Sequence, residues 1–85
     1  MLKQEQIDLI KKDLAILYRQ KAKYALHIEE ARTQIEELTA QVEQYPKDTE
    51  LQTELQRMIV LLENLSKHYE LTTNKINGAE WLLET

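Results

Sequence analysis

Apolar residues recur along the first half of the chain at alternating spacings of three and four, beginning at Ile7. Eleven of these twelve positions are apolar, and Lys21 is the exception. A period of 3.5 residues keeps one side of an α-helix facing a neighbouring helix, as the a and d positions of a coiled coil do. The pattern predicts a long helix packed against another. These core positions are Ile7, Ile10, Leu14, Leu17, Lys21, Tyr24, Ile28, Ala31, Ile35, Leu38, Val42 and Tyr45.

A turn is predicted where this pattern ends. Pro46 lacks an amide hydrogen and disfavours the helical conformation at Tyr45, so we expect a first helix over about residues 4–45. Residues 2–6 contain no strong N-cap residue, so its start should fray. Thr49, with Gln52 three residues later, fits a capping box that would begin a second helix at 49. A connection as short as residues 46–48 predicts antiparallel helices.

The second half of the chain repeats the pattern to about residue 83. Nine of its ten positions are apolar, counting Ala and Tyr. One local conflict is Asn77-Gly78, a pair that suits the end of a helix while the pattern continues to Leu83, so we expect a fray or kink there. The core positions are Leu51, Leu55, Met58, Leu62, Leu65, Tyr69, Thr72, Ile76, Ala79 and Leu83.

The two sets of core positions agree with one register. Paired about the turn, from Tyr45 with Leu51 to Leu14 with Leu83, their residue numbers always sum to 96 or 97. Small residues then meet large ones, as Ala31 meets Leu65, which allows the layers to interdigitate. The chain is therefore predicted to be a single all-α domain over residues 1–85, an antiparallel, coiled-coil-like helical hairpin.

Several apolar residues do not fit a solitary hairpin. Ile7 and Ile10 extend past the end of the second helix, and others lie outside the core positions. A two-helix core of this size is marginal by itself. We expect the hairpin to be completed to a four-helix bundle by self-association or by a partner. The candidate protein-interaction residues are Ile7, Leu9, Ile10, Ile16, Tyr18, Ile59, Leu61, Leu71, Trp81 and Leu82.

The charge of the chain narrows the classes of partner. With 11 basic and 15 acidic residues the formal net charge is −4, which disfavours nonspecific nucleic-acid binding. A basic strip near the N-terminus, formed by Lys11, Lys12, Arg19 and Lys23, is expected to be solvated, with nucleic-acid contact as the alternative. Without a long apolar run or a signal-peptide core, we expect a soluble, cytoplasmic protein without membrane contact, non-classical secretion remaining open.

Candidate chemistry is sparse. His27 and His68 fall on the same predicted edge, where two solvated histidines are expected and a metal or proton site is the alternative. Lys21 either fixes the register or, as we favour, extends its amine toward Glu80. The chain has no cysteine and no phosphate-binding, nucleophile or zinc motif, so we expect no catalysis, cofactor or metal.

Pro46 followed by Leu51, Leu55 and Met58 gives a plan that is similar to type III secretion needle subunits and their small helical co-chaperones. The resemblance covers residues 46–76, and Asp48 and Thr49 stand where the needle turn typically carries a second proline. It implies a helical hairpin and transfers no functional residue.

These patterns predict a non-catalytic protein-protein interaction or assembly module that acts through helix packing. One alternative is a small inhibitor or chaperone, of phage or secretion-system type, whose target completes its apolar surface. Nucleic-acid contact through the basic strip is a second alternative.

Overall fold

A computed structural model describes residues 2–85 as two helices joined by one turn. Helix α1 spans Gln4–Gln44 and helix α2 spans Thr49–Glu84. They pack along their length as an antiparallel hairpin that measures 63 × 15 × 14 Å. The predicted all-α hairpin is confirmed, with helix bounds within a residue of those expected.

The turn differs from the prediction in its cap. Asp48, and not Thr49, is the N-cap of α2, because its Oδ1 accepts hydrogen bonds from the backbone N–H of Glu50 at 3.0 Å and of Leu51 at 3.2 Å. Gln52 does not close a capping box, since its side-chain amide donates to the carbonyl of Pro46. The carboxylate of Asp48 thus serves donors that a helix leaves unpaired at its start.

Helical structure is present at the two places where fraying was predicted, the start of α1 and Gly78 in α2. At the start of α1, the side chain of Gln6 accepts a hydrogen bond from the backbone N–H of Lys3 at 3.0 Å, which supports the first turn that was expected to fray. The fray expected at Gly78 is absent, because α2 runs without interruption to Glu84. Ala79 and Leu83 beyond it are half-buried and continue the core pattern, and this packing outweighs the local preference of Asn-Gly for a helix end.

The core is a single layer between the helices. The six buried residues among those described all occupy predicted core positions, and they are Leu14, Ile28, Ala31, Met58, Thr72 and Ile76. Ala31 and Leu65, which the register pairs, line the same groove. Most other core positions are only half-buried, because a second helix covers one side of each helix and solvent reaches both edges of the layer.

Candidate interaction surface

Five large aliphatic side chains that do not belong to the core lie on one side of the hairpin. On α2, Leu61, His68, Leu71, Lys75 and Leu82 follow spacings of seven, three, four and seven residues, which places them on one side of the helix. On α1 they occupy the side of the core layer that faces the same edge. We call this surface the leucine face, formed by Leu9, Ile16, Leu61, Leu71 and Leu82, all of them exposed.

Shallow grooves run between the helices along this face. One is lined by Asp13, Ile16, Leu17 and Gln20 of α1 and by Lys75 of α2. Another lies nearer the turn, where His27, Glu30, Ala31 and Gln34 face Met58, Leu61 and Leu65. A third continues toward the turn between Leu38 and Glu54. Exposed aliphatic side chains beside grooves of this kind give the ridge-and-groove relief with which helices pack against one another.

The opposite edge of the hairpin has a different character. Here the Tyr18 hydroxyl donates a hydrogen bond to the Glu80 carboxylate, which links the two helices within the chain. Ile59, on the same edge, is half-buried. The side chains that flank this edge in the heptad pattern are mainly carboxylates, and we call it the acidic face: Asp8, Glu29, Glu36, Glu43, Glu63, Glu70, Glu80 and Glu84.

The structure separates the predicted interaction residues into groups. Leu9, Ile16, Leu61, Leu71 and Leu82 share the leucine face, whereas Tyr18 and Ile59 belong to the acidic face. Trp81 is exposed on the outer side of α2, away from both. This division was not predicted, although the heptad spacing from Leu61 through Leu71 to Leu82 is present in the sequence.

The start of α1 is better covered than predicted. Ile7 and Ile10 are half-buried, and Ile7 lines a cavity at the open end of the hairpin. The other walls of this cavity come from Leu2 and Lys11 and from the end of α2, through Leu82, Leu83 and Thr85. The last turn of α2 and Thr85 after it thus supply intrachain neighbours that Ile7 was expected to lack.

The two histidines have separate partners. His27 Nδ1 lies 3.4 Å from a carboxylate oxygen of Glu30, one turn along the same helix. The His68 ring stacks on Tyr24 across the core layer, with 5.6 Å between the ring centroids. Within residues 2–85, no group of three or more potential metal ligands is assembled.

The structure also shows where Lys21 and the predicted basic strip lie. Lys21 is half-buried with its ammonium 5.5 Å from the centroid of the Tyr69 ring, a cation–π arrangement, so it does not extend toward Glu80 as favoured. Lys11, Lys12, Arg19 and Lys23 are all exposed. Lys12, Arg19 and Lys23 follow spacings of seven and four and share one side of α1, whereas Lys11 lies about a quarter of a turn away from them.

Neither a family model, nor a curated protein, nor a solved structure matches this chain. Within the described part of the chain, neither helix is long and apolar enough to cross a membrane. The surface of the hairpin is therefore the feature that bears on function.

Proposed function

We propose that this protein is a non-catalytic interaction module that binds the apolar stripe of another helical surface through its leucine face. The observation that supports this is the concentration of exposed aliphatic side chains beside interhelical grooves on a single face. Isolated surface leucines are ordinary, whereas a row of them beside a core layer that is mostly half-buried is typical of an interaction surface.

The energetics of a small hairpin favour the same proposal. Two helices bury only one layer of side chains, and just six residues of the described chain are buried. Domains of this size need additional apolar burial, a metal or a disulfide to become more than marginally stable, and the sequence contains no cysteine. Packing a further helical surface on the leucine face would cover one of the two open edges of the core layer.

The chain offers a matched pair of variants that tests this role. Leu61→Gln with Leu71→Gln removes two aliphatic side chains of the leucine face, which are 43% and 56% exposed. Leu26→Gln with Val60→Gln removes two from the outer sides of the helices, which are 57% and 52% exposed. Both double variants should keep the helicity of the hairpin, because neither pair belongs to the core.

The measurement is the fluorescence of an apolar-surface dye at the lowest usable protein concentration, with helicity recorded by circular dichroism. We expect the leucine-face variant to lose most of the dye binding and the outer-side variant to retain it. Equal loss in the two variants would contradict the proposal, because the apolar surface would then have no preferred face. A dye-binding chain that stays monomeric would have a different protein as its partner, as an inhibitor or chaperone would.

A further inference from the structure

The hairpin is electrostatically polarised along its 63 Å axis. Its open half, residues 1–23 and 73–85, carries seven basic and five acidic side chains, and its turn half, residues 24–72, carries four basic and ten acidic ones. The two halves therefore have formal charges of +2 and −6. Two such molecules side by side attract when their halves are opposed and repel when like halves meet.

The leucine face carries the same asymmetry. In its open half, Lys23 and Lys75, both near the middle of the hairpin, outnumber Asp13. In its turn half, Glu50 and three carboxylates that line grooves outnumber Arg57. Those carboxylates belong to Glu30, Glu37 and Glu54, and all three line grooves of this face. The acidic face, with its eight carboxylates, would place like charges against each other if it met a copy of itself.

The exposed aliphatic side chains and the grooves of the face are also complementary when two molecules are antiparallel. Leu9, Ile16 and Leu82 lie in the open half, which also contains the groove beside Lys75. The turn half contains Leu61 and Leu71 together with the grooves bounded by Leu61 and by Glu54. Turning one molecule end over end brings the leucines of each open half opposite the grooves of the other turn half. A side of 63 by 15 Å offers roughly 900 Å², slightly more than the roughly 800 Å² per partner of a stable interface.

We infer that the partner of the leucine face is a second copy of this chain, packed antiparallel to the first as a twofold-symmetric four-helix bundle. The inference rests on the proposed function and adds the identity and direction of the partner. A twofold axis across the middle of the face makes both contacts identical, which is the commonest symmetry of protein dimers.

The direction can be measured by energy transfer between single labels, because the natural chain contains no cysteine. Lys47→Cys places a label at the turn and Lys3→Cys places one at the open end, and both positions are exposed. Donor-labelled and acceptor-labelled full-length chains are mixed, refolded together and compared. Antiparallel packing predicts strong transfer between Lys47→Cys and Lys3→Cys chains, and weak transfer between two Lys47→Cys chains.

The opposite result, strong transfer between two Lys47→Cys chains, would overturn the inference in favour of a parallel dimer. Absence of transfer in every mixture would overturn it by excluding a second copy. In that case the dye experiment separates the two claims: face-dependent dye binding would leave the proposed function standing with another partner, and its absence would remove both.

Discussion

Ile76 and Leu71 lie on the same helix and differ mainly in what they contact. Ile76 is 3% exposed in the core layer, whereas Leu71 is 56% exposed on the leucine face. Replacing each by Ala removes a comparable aliphatic volume. The pair therefore compares the energy that holds the hairpin together with the energy available for a partner.

The expected cost of Ile76→Ala follows from its burial. Loss of the buried side chain and the resulting cavity destabilise proteins by about 2 to 5 kcal/mol, and we expect about 2 to 3 kcal/mol here because solvent and neighbours can relax into a single-layer core. For a domain of this size that lowers the midpoint of thermal unfolding by roughly 10 to 20 °C. Leu71→Ala should cost within about 0.5 kcal/mol in the monomer, since its side chain is largely exposed.

The assay is thermal unfolding followed by circular dichroism at a low and a high protein concentration. Ile76→Ala should lower the midpoint at both concentrations, whereas Leu71→Ala should lower it only at the high one, where association adds to stability. If Leu71→Ala were as damaging as Ile76→Ala at the low concentration, Leu71 would belong to the core. The helix register would then be wrong.

Two further predictions concern the helices themselves. Gly78→Ala should stabilise the hairpin by about 0.5 to 1 kcal/mol, because Gly78 lies inside α2 and a Cβ added there meets nothing within 4 Å; an unchanged unfolding midpoint in dilute protein would mean that the helix ends there in solution. Asp48→Ala should destabilise the hairpin by about 1 kcal/mol through loss of the N-cap, measured by urea unfolding, and Thr49→Ala should cost less. The reverse order would restore Thr49 as the cap.

Much of the fold was readable from the sequence because one physical signal dominates it. The 3.5-residue period fixes which side of each helix is buried, and Pro46 fixes where the first helix ends. All the buried residues of the described chain, from Leu14 to Ile76, lie at positions given by that period. Long, strongly periodic helices are the elements for which pattern and packing agree.

The errors arose where short local signals competed with packing or with one another. At Asn77-Gly78 a helix-ending pair was overridden by the core contacts of the residues that follow. At the turn, Asp48 and Thr49 are both good capping residues, and Asp48 is the one that has extended backbone and accepts the N–H groups of Glu50 and Leu51. The ammonium of Lys21 lies over the ring of Tyr69. This contact depends on side-chain conformation, which the spacing of residues in the sequence does not predict.

The candidate surface was only partly predictable for a related reason. An exposed leucine carries no sequence signal of its own, so Leu71, Trp81 and Tyr18 could not be ranked by residue type. The structure distinguishes them, because Tyr18 contacts Glu80 within the chain whereas Leu71 is exposed on the same side as Leu61. The identity of a partner depends further on charge along the whole hairpin.

The central claim, that the leucine face binds a second copy of the chain, is tested most directly by sedimentation equilibrium over a wide concentration range. The account predicts a mass approaching that of two chains for the natural protein and for Leu26→Gln with Val60→Gln. It predicts a mass near that of one chain for Leu61→Gln with Leu71→Gln under the same conditions. A natural protein that remains a single chain throughout, or an outer-side variant that dissociates as readily as the leucine-face variant, would contradict it.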